Sequence, residues 1–265
     1  MTSGYRLYKG AWIFERDPHS EHKLTSEEVK SLFSKGGLMI RNAYDFDCGQ
    51  ETSFWYVIKD SFGGIDELPT KVRNQVRRSQ KVYKFKKVSP EEMTAKGWEL
   101  FNKSRERFND NRLFVSREQW QQRCSGKGQD FWLGINRETN EAEVFAINKT
   151  YDDYCDYVSM GVNPEAPKST YPMYGLIYEM NRYYLLERKV PFVSDGARSI
   201  TEHSNIQQVL ENKFKFRKAY CDLQVFYKPW FEVAVKLLFP FRKMIKHPKV
   251  SAILRQEAWA RGLEG

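Results

Sequence analysis

The chain has 265 residues, of which 41% are hydrophobic and 29% are charged, and its net charge is +9. This length fits one large domain or two modest ones, and the composition excludes collagen, low-complexity disorder and a polytopic membrane protein. Because no run of about 18 uncharged apolar residues occurs, we expect no membrane span. Charged residues enter the N-terminal segment too early for a secretory leader, so we expect no signal peptide.

The positive charge is concentrated in two blocks. Residues 68–89 contain eight basic residues and no acidic one, and residues 228–265 contain eight basic and three acidic residues. The rest of the chain is nearly neutral. Such blocks favour an anionic partner, namely a phosphate, a nucleic acid or a lipid surface, and a merely solvated face is an equally good interpretation.

The cysteines give information about metal sites and compartment. No two of them form a Cys-x-x-Cys pair, so we expect no zinc site, no redox motif and no other metal. Scattered cysteines without a predicted leader are typical of a reducing compartment, so we expect a cytoplasmic protein. The four cysteines are Cys48, Cys124, Cys155 and Cys221.

Residues 1–67 are predicted to form a small α/β unit. A helix begins at Thr25 or Ser26, either of which can cap it ahead of two glutamates, and it ends at Gly36. Apolar and aromatic clusters bounded by polar breaks predict strands at 10–16, 37–44 and 53–60.

Residues 68–227 are predicted to form the core domain. The domain begins with a helix at 69–81, which has a narrow apolar stripe and cations elsewhere, and an alternating strand at 82–88. The later elements are helices at 89–108 and 116–124, strands at 130–136, 141–148 and 153–161, a helix at 173–189, a strand at 191–196, a helix at 203–216 and a strand at 219–227. The strand-helix-strand passage between 153 and 196 predicts a parallel pair with a crossover helix.

Residues 228–265 are predicted to form a basic helical tail. Its apolar run is broken by Glu232, Lys236 and Pro240 and is too short to span a bilayer. With its cations, the segment 228–250 could lie on an anionic membrane surface at the inner face. We favour the alternative, a helix packed on the core with a basic tail.

The element order from about residue 50 to 227 resembles the GNAT superfamily of N-acetyltransferases, and most closely its larger, Fem-like branch. A tryptophan-containing strand, FWYVIKD, precedes the basic helix and strand LPTKVRNQVRRSQKVYKF. The segments KVPFVSDGARSI and NIQQVLENKFKFRKAY look like the end of the same fold. The resemblance implies a mixed α/β sheet flanked by helices. Residues 1–67 could then be a degenerate partial copy of the core.

The resemblance also implies N-acyl transfer to an amine. The superfamily uses two donors, acyl-coenzyme A in most members and aminoacyl-tRNA in the Fem branch. We expect acetyl-coenzyme A first, with an amino sugar or small metabolite as acceptor, in bacterial cell-surface polysaccharide synthesis. Transfer from aminoacyl-tRNA is the alternative, weakened because no heptad pattern predicts the coiled-coil arm common in such proteins. A GNAT-shaped binding protein without catalysis is the third hypothesis.

By resemblance, the donor would lie beside the strand at 153–161 and the loop at 163–172. The backbone of Ser159, Met160 and Gly161 would hold the donor carbonyl. The loop lacks the glycines of the family's phosphate-binding pattern, and its prolines remove backbone donors, so a plain structural loop is as good an interpretation. The residues that could still contact the donor are Lys168, Ser169 and Thr170, with Asn205 at the start of the last helix.

Catalytic candidates follow from the same comparison. Asp195 is the candidate base or amine anchor because it lies at the C-terminal end of a predicted strand, although Asp before Gly is more often a turn residue. The family's leaving-group acid is a tyrosine on the last helix, which this chain lacks, so Tyr220 and Tyr174 are the substitutes. Arg77 and Arg78 are candidate contacts to substrate or phosphate.

Overall fold

The structure is a computed structural model that describes residues 4–14, 18–20, 22–106, 113–200 and 205–263. Within those ranges the chain forms ten strands and eight α-helices, so the predicted mixed α/β class is confirmed. The chain forms two compact units, which are described in turn. Parts of three predicted elements, at 15–16, 107–108 and 203–204, lie outside the described residues.

The first unit contains residues 1–57, 197–205 and 218–265. Its strand order is β1-β2-β3-β10-β4, with β2 parallel to β3 and β10 antiparallel to β3. These strands are β1 (Tyr5–Tyr8), β2 (Ala11–Phe14), β3 (Met39–Tyr44), β4 (Phe54–Lys59, whose first four residues belong here) and β10 (Arg217–Tyr227). The sequence did not predict β1.

The helices of the first unit are α1 (Ser26–Ser34), α7 (Pro229–Leu238) and α8 (Pro248–Ala260). The predicted cap of α1 is confirmed, because the Thr25 hydroxyl accepts from the Glu28 N–H while the Glu28 carboxylate accepts from the Thr25 N–H. The Thr25 N–H, foremost, and then the His22 ring bond to the Glu28 carboxylate and lower its pKa to about 2.

The second unit contains residues 58–196 and 206–217, and its strand order is β9-β8-β7-β6-β5. Strands β5 to β8 form antiparallel pairs, and β9 is parallel to β8, which confirms the predicted crossover. The elements in chain order are α2 (Thr70–Val82), β5 (Tyr83–Val88), α3 (Pro90–Lys103), α4 (Arg117–Cys124), β6 (Gln129–Asn136), β7 (Ala142–Thr150), β8 (Tyr154–Val162), α5 (Pro172–Arg182), β9 (Phe192–Ala197) and α6 (Ile206–Phe214).

The core of the second unit lies between the α3–α4 pair and strands β6 and β7. Phe101 of α3 packs on Trp120 of α4 and on Phe145 of β7, with ring centroids 5.0 and 5.7 Å apart. All three rings are buried. This packing holds β7, and therefore its neighbour β8, in place.

Helix α2 packs on α5 through its apolar stripe. Val72, Val76 and Ser79 are buried. The two helices come closest at Gly175, where a Cβ atom would lie 2.5 Å from Ser79 Oγ and 2.4 Å from the Phe85 ring. Only glycine fits there, and the opposite side of α2 is left exposed to solvent.

Candidate active site

Strands β8 and β9 run side by side over a short distance and then separate. The parallel ladder ends where Asp156 of β8 lies opposite Ser194 of β9, while β8 continues to Val162. Beyond this pair no ladder hydrogen bonds join the two strands, and we call the region between them the opening between β8 and β9. Gaps at the carboxyl ends of parallel strands are common ligand sites in α/β folds.

A bulge in β8 accompanies the separation. Ile147 of β7 pairs with Ser159, whereas the next residue, Asn148, pairs with Tyr157, so Val158 is an extra residue on β8. A bulge of this kind bends the strand and increases its twist. It directs the end of β8 away from its parallel neighbour.

Two carboxyl groups lie where the strands separate. Asp156 is the last paired residue of β8, and Asp195 follows the last paired residue of β9. Burial, foremost, and the charge of Asp156 raise the pKa of Asp195 to about 8. Burial raises the pKa of Asp156 to about 6. Near neutral pH the pair therefore holds about one proton, mainly on Asp195.

Polar neighbours hold both carboxyl groups. The Ser194 hydroxyl bonds to Asp156 and lowers its pKa against the effect of burial, and the charge of Lys149 acts in the same direction. The Gln207 side chain of α6 donates to the Asp195 backbone carbonyl over 3.4 Å and lowers the pKa of the neighbouring carboxyl group. These bonds orient the carboxyl groups while burial keeps Asp195 protonated.

Tyr157, next to Asp156, is buried behind the pair. Its hydroxyl donates to Asn181 Oδ1 of α5 over 2.8 Å. Burial raises the pKa of Tyr157 well above its usual range, so it stays a neutral phenol. The bond connects the site to the C-terminal end of α5.

Arg105, which follows α3, brings a positive charge to β8. Its guanidinium lies 4.5 Å from the centroid of the Phe101 ring and donates to Ser159 Oγ over 2.8 Å. Ser159 is one of the predicted donor-contacting residues and lies on the part of β8 beyond the separation. The sequence analysis missed Arg105 because only the packing of α3 brings it to this strand.

Met160 and Gly161 continue the same part of β8. Met160 is half-buried, and Gly161 is buried. A Cβ atom at Gly161 would lie 2.4 Å from the Phe145 ring and 2.6 Å from Ser104 Oγ. Packing is therefore a sufficient reason for glycine at this position, and the predicted contacts of Ser159, Met160 and Gly161 with a donor stay predictions.

The loop between β8 and α5 uses its own backbone donors. The Thr170 N–H donates to the Pro167 carbonyl over 2.9 Å, and the Tyr171 N–H donates to the Lys168 carbonyl over 3.4 Å. Pro172 then begins α5 and has no N–H. Two of the first N–H groups of α5, those of Tyr174 and Gly175, donate to the Tyr171 carbonyl, which leaves the N–H of Met173 without a backbone acceptor among the described residues.

This loop therefore offers few free N–H groups to the diphosphate of a coenzyme A donor, which binds through such groups at a helix N-terminus. The Thr170 hydroxyl donates to the Pro167 carbonyl over 2.6 Å and lies 2.8 Å from the Tyr83 hydroxyl, so it is also engaged. Lys168 and Ser169 are exposed and are the groups left for a phosphate.

The other predicted residues lie in separate places. Tyr174 is in the first turn of α5, where its hydroxyl accepts a bond from Lys213 of α6. Tyr220 lies on β10 in the first unit, with its ring 6.0 Å from that of Trp55. Asn205 is exposed and directly precedes α6. The roles predicted for these three residues stay predictions.

The exposed side of α2 forms a basic surface. Lys71, Arg77, Arg78 and Lys81 all face solvent, and we call these four residues the α2 face. Arg73 differs because it pairs with Asp66 over 3.0 Å. No ion pair within the described ranges involves the four members of the α2 face, so their charges are available to an anion. Among all the residues that the structure describes, no group of three His, Cys, Asp or Glu side chains is arranged to hold a metal.

Comparisons with known proteins establish the fold. No protein-family model and no curated protein matches the sequence. Among solved structures, the chain is similar to the C-terminal domain of a protein assigned as a lysylphosphatidylglycerol synthetase from Agrobacterium fabrum. The identity is 11% and the TM-score 0.56, over 83% of this chain and 79% of that domain.

Two further solved structures agree. FemX is 10% identical with a TM-score of 0.53, over 89% of this chain and 82% of FemX. L-PGS from Bacillus licheniformis is 15% identical with a TM-score of 0.50, over 89% of this chain and 76% of L-PGS. At such identities the similarity concerns the fold. The chain has the GNAT fold in its Fem-like form, which confirms the resemblance seen in the sequence.

Proposed function

We propose that this chain transfers an acyl group to an amine acceptor at the opening between β8 and β9. The single observation that carries the proposal is the carboxyl pair where these strands separate. A carboxyl group with a pKa near 8 ionises as the pH rises above neutral, and its carboxylate form can accept a proton from an attacking amine and return it to a leaving group. The GNAT fold, whose members transfer acyl groups to amines, supports the same chemistry.

The proposed reaction is direct attack. The amine nitrogen bonds to the acyl carbon, and the bond from that carbon to the leaving group breaks. The proton of the amine passes to the Asp195 carboxylate and ends on the leaving group. Asp156 is mainly ionised near neutral pH, and its charge keeps the pKa of Asp195 high. The cation of Arg105 beside Ser159 would stabilise negative charge that develops on the acyl oxygen.

A covalent intermediate on cysteine is not part of the proposal. Cys155 is fully buried next to Asp156 on β8, and burial raises the pKa of its thiol well above the usual range. A thiol of this kind is a poor nucleophile because the thiolate is the reactive form.

We propose an aminoacyl ester of tRNA as the donor. The closed loop before α5 argues against a coenzyme A diphosphate. The α2 face offers four unpaired cations in the second unit, the same unit as the carboxyl pair, and a polyphosphate backbone is a suitable ligand for them. This order of preference is the reverse of the one drawn from the sequence.

Acetyl-coenzyme A is the second candidate donor, with an amino sugar or small metabolite as acceptor. It is favoured by the part of β8 that extends beyond its pairing with β9, because backbone groups there can bond to an extended ligand. Lys168 and Ser169 would then contact its phosphates.

The test compares the two donors. Calorimetry with acetyl-coenzyme A and free coenzyme A is run beside anisotropy titrations with labelled tRNA at two salt concentrations. We expect tRNA affinity to fall steeply with salt and no heat from coenzyme A at millimolar concentration. Micromolar binding of coenzyme A would reverse the donor assignment. A folded protein that binds neither would support the hypothesis of a GNAT-shaped protein without catalysis.

A further inference from the structure

Helix α7 has two apolar sides. One side packs into the first unit, where Val235 and Phe239 are buried in a cluster with Met39 and Leu254. The other side faces solvent. This exposed side begins at Trp230. Val233 and Leu237, three and seven residues further along the chain, lie on the same side of the helix.

The exposed side includes several large apolar side chains. Its side chains are between 57% and 77% exposed. We call this set the α7 ridge: Trp230, Val233 and Leu237 lie on α7, and Phe241 and Met244 lie in the segment that directly follows it. The outer side of a surface helix is normally polar. Contiguous exposed apolar side chains on this scale mark a surface that contacts another apolar phase.

The segment that contains the α7 ridge is rich in lysine and arginine. Residues 228–250 contain six basic residues and a single acidic one, Glu232. That carboxylate lies 2.6 Å from Lys236 Nζ and is therefore neutralised locally. Lys243, Lys246 and Lys249 are exposed beside the end of the ridge. The ligand of this surface therefore has both an apolar part and negative charge.

We propose that the α7 ridge inserts into the surface layer of an anionic phospholipid bilayer, with the lysines at the lipid phosphates. Apolar insertion and cation–phosphate attraction together are what such a surface offers, and a tryptophan suits the boundary between its polar and apolar layers. The sequence analysis favoured a helix packed on the core, and the structure shows that packing uses only one of two apolar sides.

A second copy of the chain fits this surface less well. If two ridges faced each other across a two-fold axis, Lys243, Lys246 and Lys249 would come close to their own copies. Like charges without acids between them oppose such contact. None of the helices in the described ranges combines the length and hydropathy that a membrane span requires, so the proposed contact is with the surface.

The test is flotation of the full chain with vesicles of phosphatidylcholine, with and without phosphatidylglycerol. We expect flotation with the anionic vesicles and little with pure phosphatidylcholine. The double variant Trp230→Ser/Leu237→Ser should lower the partition coefficient at least ~10-fold, because two inserted apolar side chains are lost. The matched control Leu7→Ser/Leu186→Ser changes two exposed apolar residues elsewhere and should float like the wild type.

The lysines are tested separately. Replacing Lys243, Lys246 and Lys249 by glutamine should weaken binding about fivefold for each charge removed and should reduce its salt dependence. A wild type that does not float with anionic vesicles, or ridge variants that float normally, would overturn the proposal. So would light scattering that shows a wild-type dimer dissociated by the ridge substitutions. No acyl donor is present, so no transfer takes place and the flotation result is read without any measurement of the proposed enzyme function.

Discussion

Two regions differ from the usual pattern of burial in opposite ways. They are the opening between β8 and β9 and the α7 ridge. The opening holds two carboxyl groups where water is scarce, and the ridge holds five large apolar side chains where water is abundant. Both arrangements oppose folding, because a charge loses hydration in one and apolar surface stays hydrated in the other. The comparison teaches that each region is better explained by a task than by stability. Under the two proposals, burial sets the pKa of Asp195, and the exposed apolar side chains of the α7 ridge bind a membrane surface.

The largest effect is expected on turnover, when a residue of the carboxyl pair is replaced. Asp195→Asn should lower turnover about 10²–10³-fold, since a general base is lost, while leaving donor affinity within about twofold. Wild-type turnover should rise with pH as Asp195 ionises through a pKa of about 8, and the variant should lack this rise. Turnover is measured from pH 6 to 10 with a mass-spectrometric product assay. Asp152→Asn, an exposed acid near β8, is the control. Equal turnover in Asp195→Asn and wild type would remove Asp195 from the mechanism.

A second prediction concerns the α2 face, which differs from the ridge in offering charge without apolar surface. Arg77→Gln/Arg78→Gln should weaken tRNA binding about tenfold and reduce the slope of log affinity against log salt by about 2. The ridge variants should leave this binding unchanged. Lys168→Ala serves as the control for the loop before α5. Weaker donor binding in that variant, with normal binding in the arginine variant, would favour the coenzyme A hypothesis.

The third prediction concerns the dependence of the free energy of unfolding on pH. A carboxyl group whose pKa is raised on folding binds its proton more tightly in the native state, so stability falls as pH rises from about 4 to about 8. Asp195→Asn removes that loss and should be more stable than wild type by up to about 5 kcal/mol at pH 8, with little difference at pH 4. Urea denaturation at the two pH values measures the free energy of unfolding. A variant less stable than wild type at pH 8 would contradict the assignment of a raised pKa.

The smallest effect is expected on the ridge. Leu237→Ser should change the free energy of unfolding by less than about 0.5 kcal/mol, because the side chain is exposed and contributes little to packing. Val235→Ala, on the opposite side of α7, should cost about 2 kcal/mol because its side chain is buried. Thermal melts of both variants test this. Similar costs at the two positions would mean that both sides of α7 pack in the native state.

Much of the fold could be predicted from the sequence. The four-residue spacing of the α2 stripe and the alternation of β5 gave the correct element types, and the β8–β9 crossover followed from element order. Asp195 was found because a residue at a strand end has a predictable position. Asp156 was missed, although an acid inside a strand of buried aromatic residues was a usable signal. Arg105 could not be found, because only tertiary packing brings it to Ser159.

The sequence also could not predict which side of α7 is buried. Its apolar residues form a nearly continuous run, so a helical pattern alone does not say which of them meet the core. Only the positions of β3 and α8 decide that Val235 is buried and Leu237 is not.

The close crossing of α2 and α5 has a genetic consequence. Since any Cβ atom at Gly175 meets both Ser79 and Phe85, a saturation library at this codon should retain glycine alone under selection for a folded protein. Codons for the exposed α2 positions should tolerate most amino acids under that selection and become restrictive only when activity is selected. A growth experiment of this kind would distinguish the residue that packs α2 in place from the exposed α2 residues that are needed for activity.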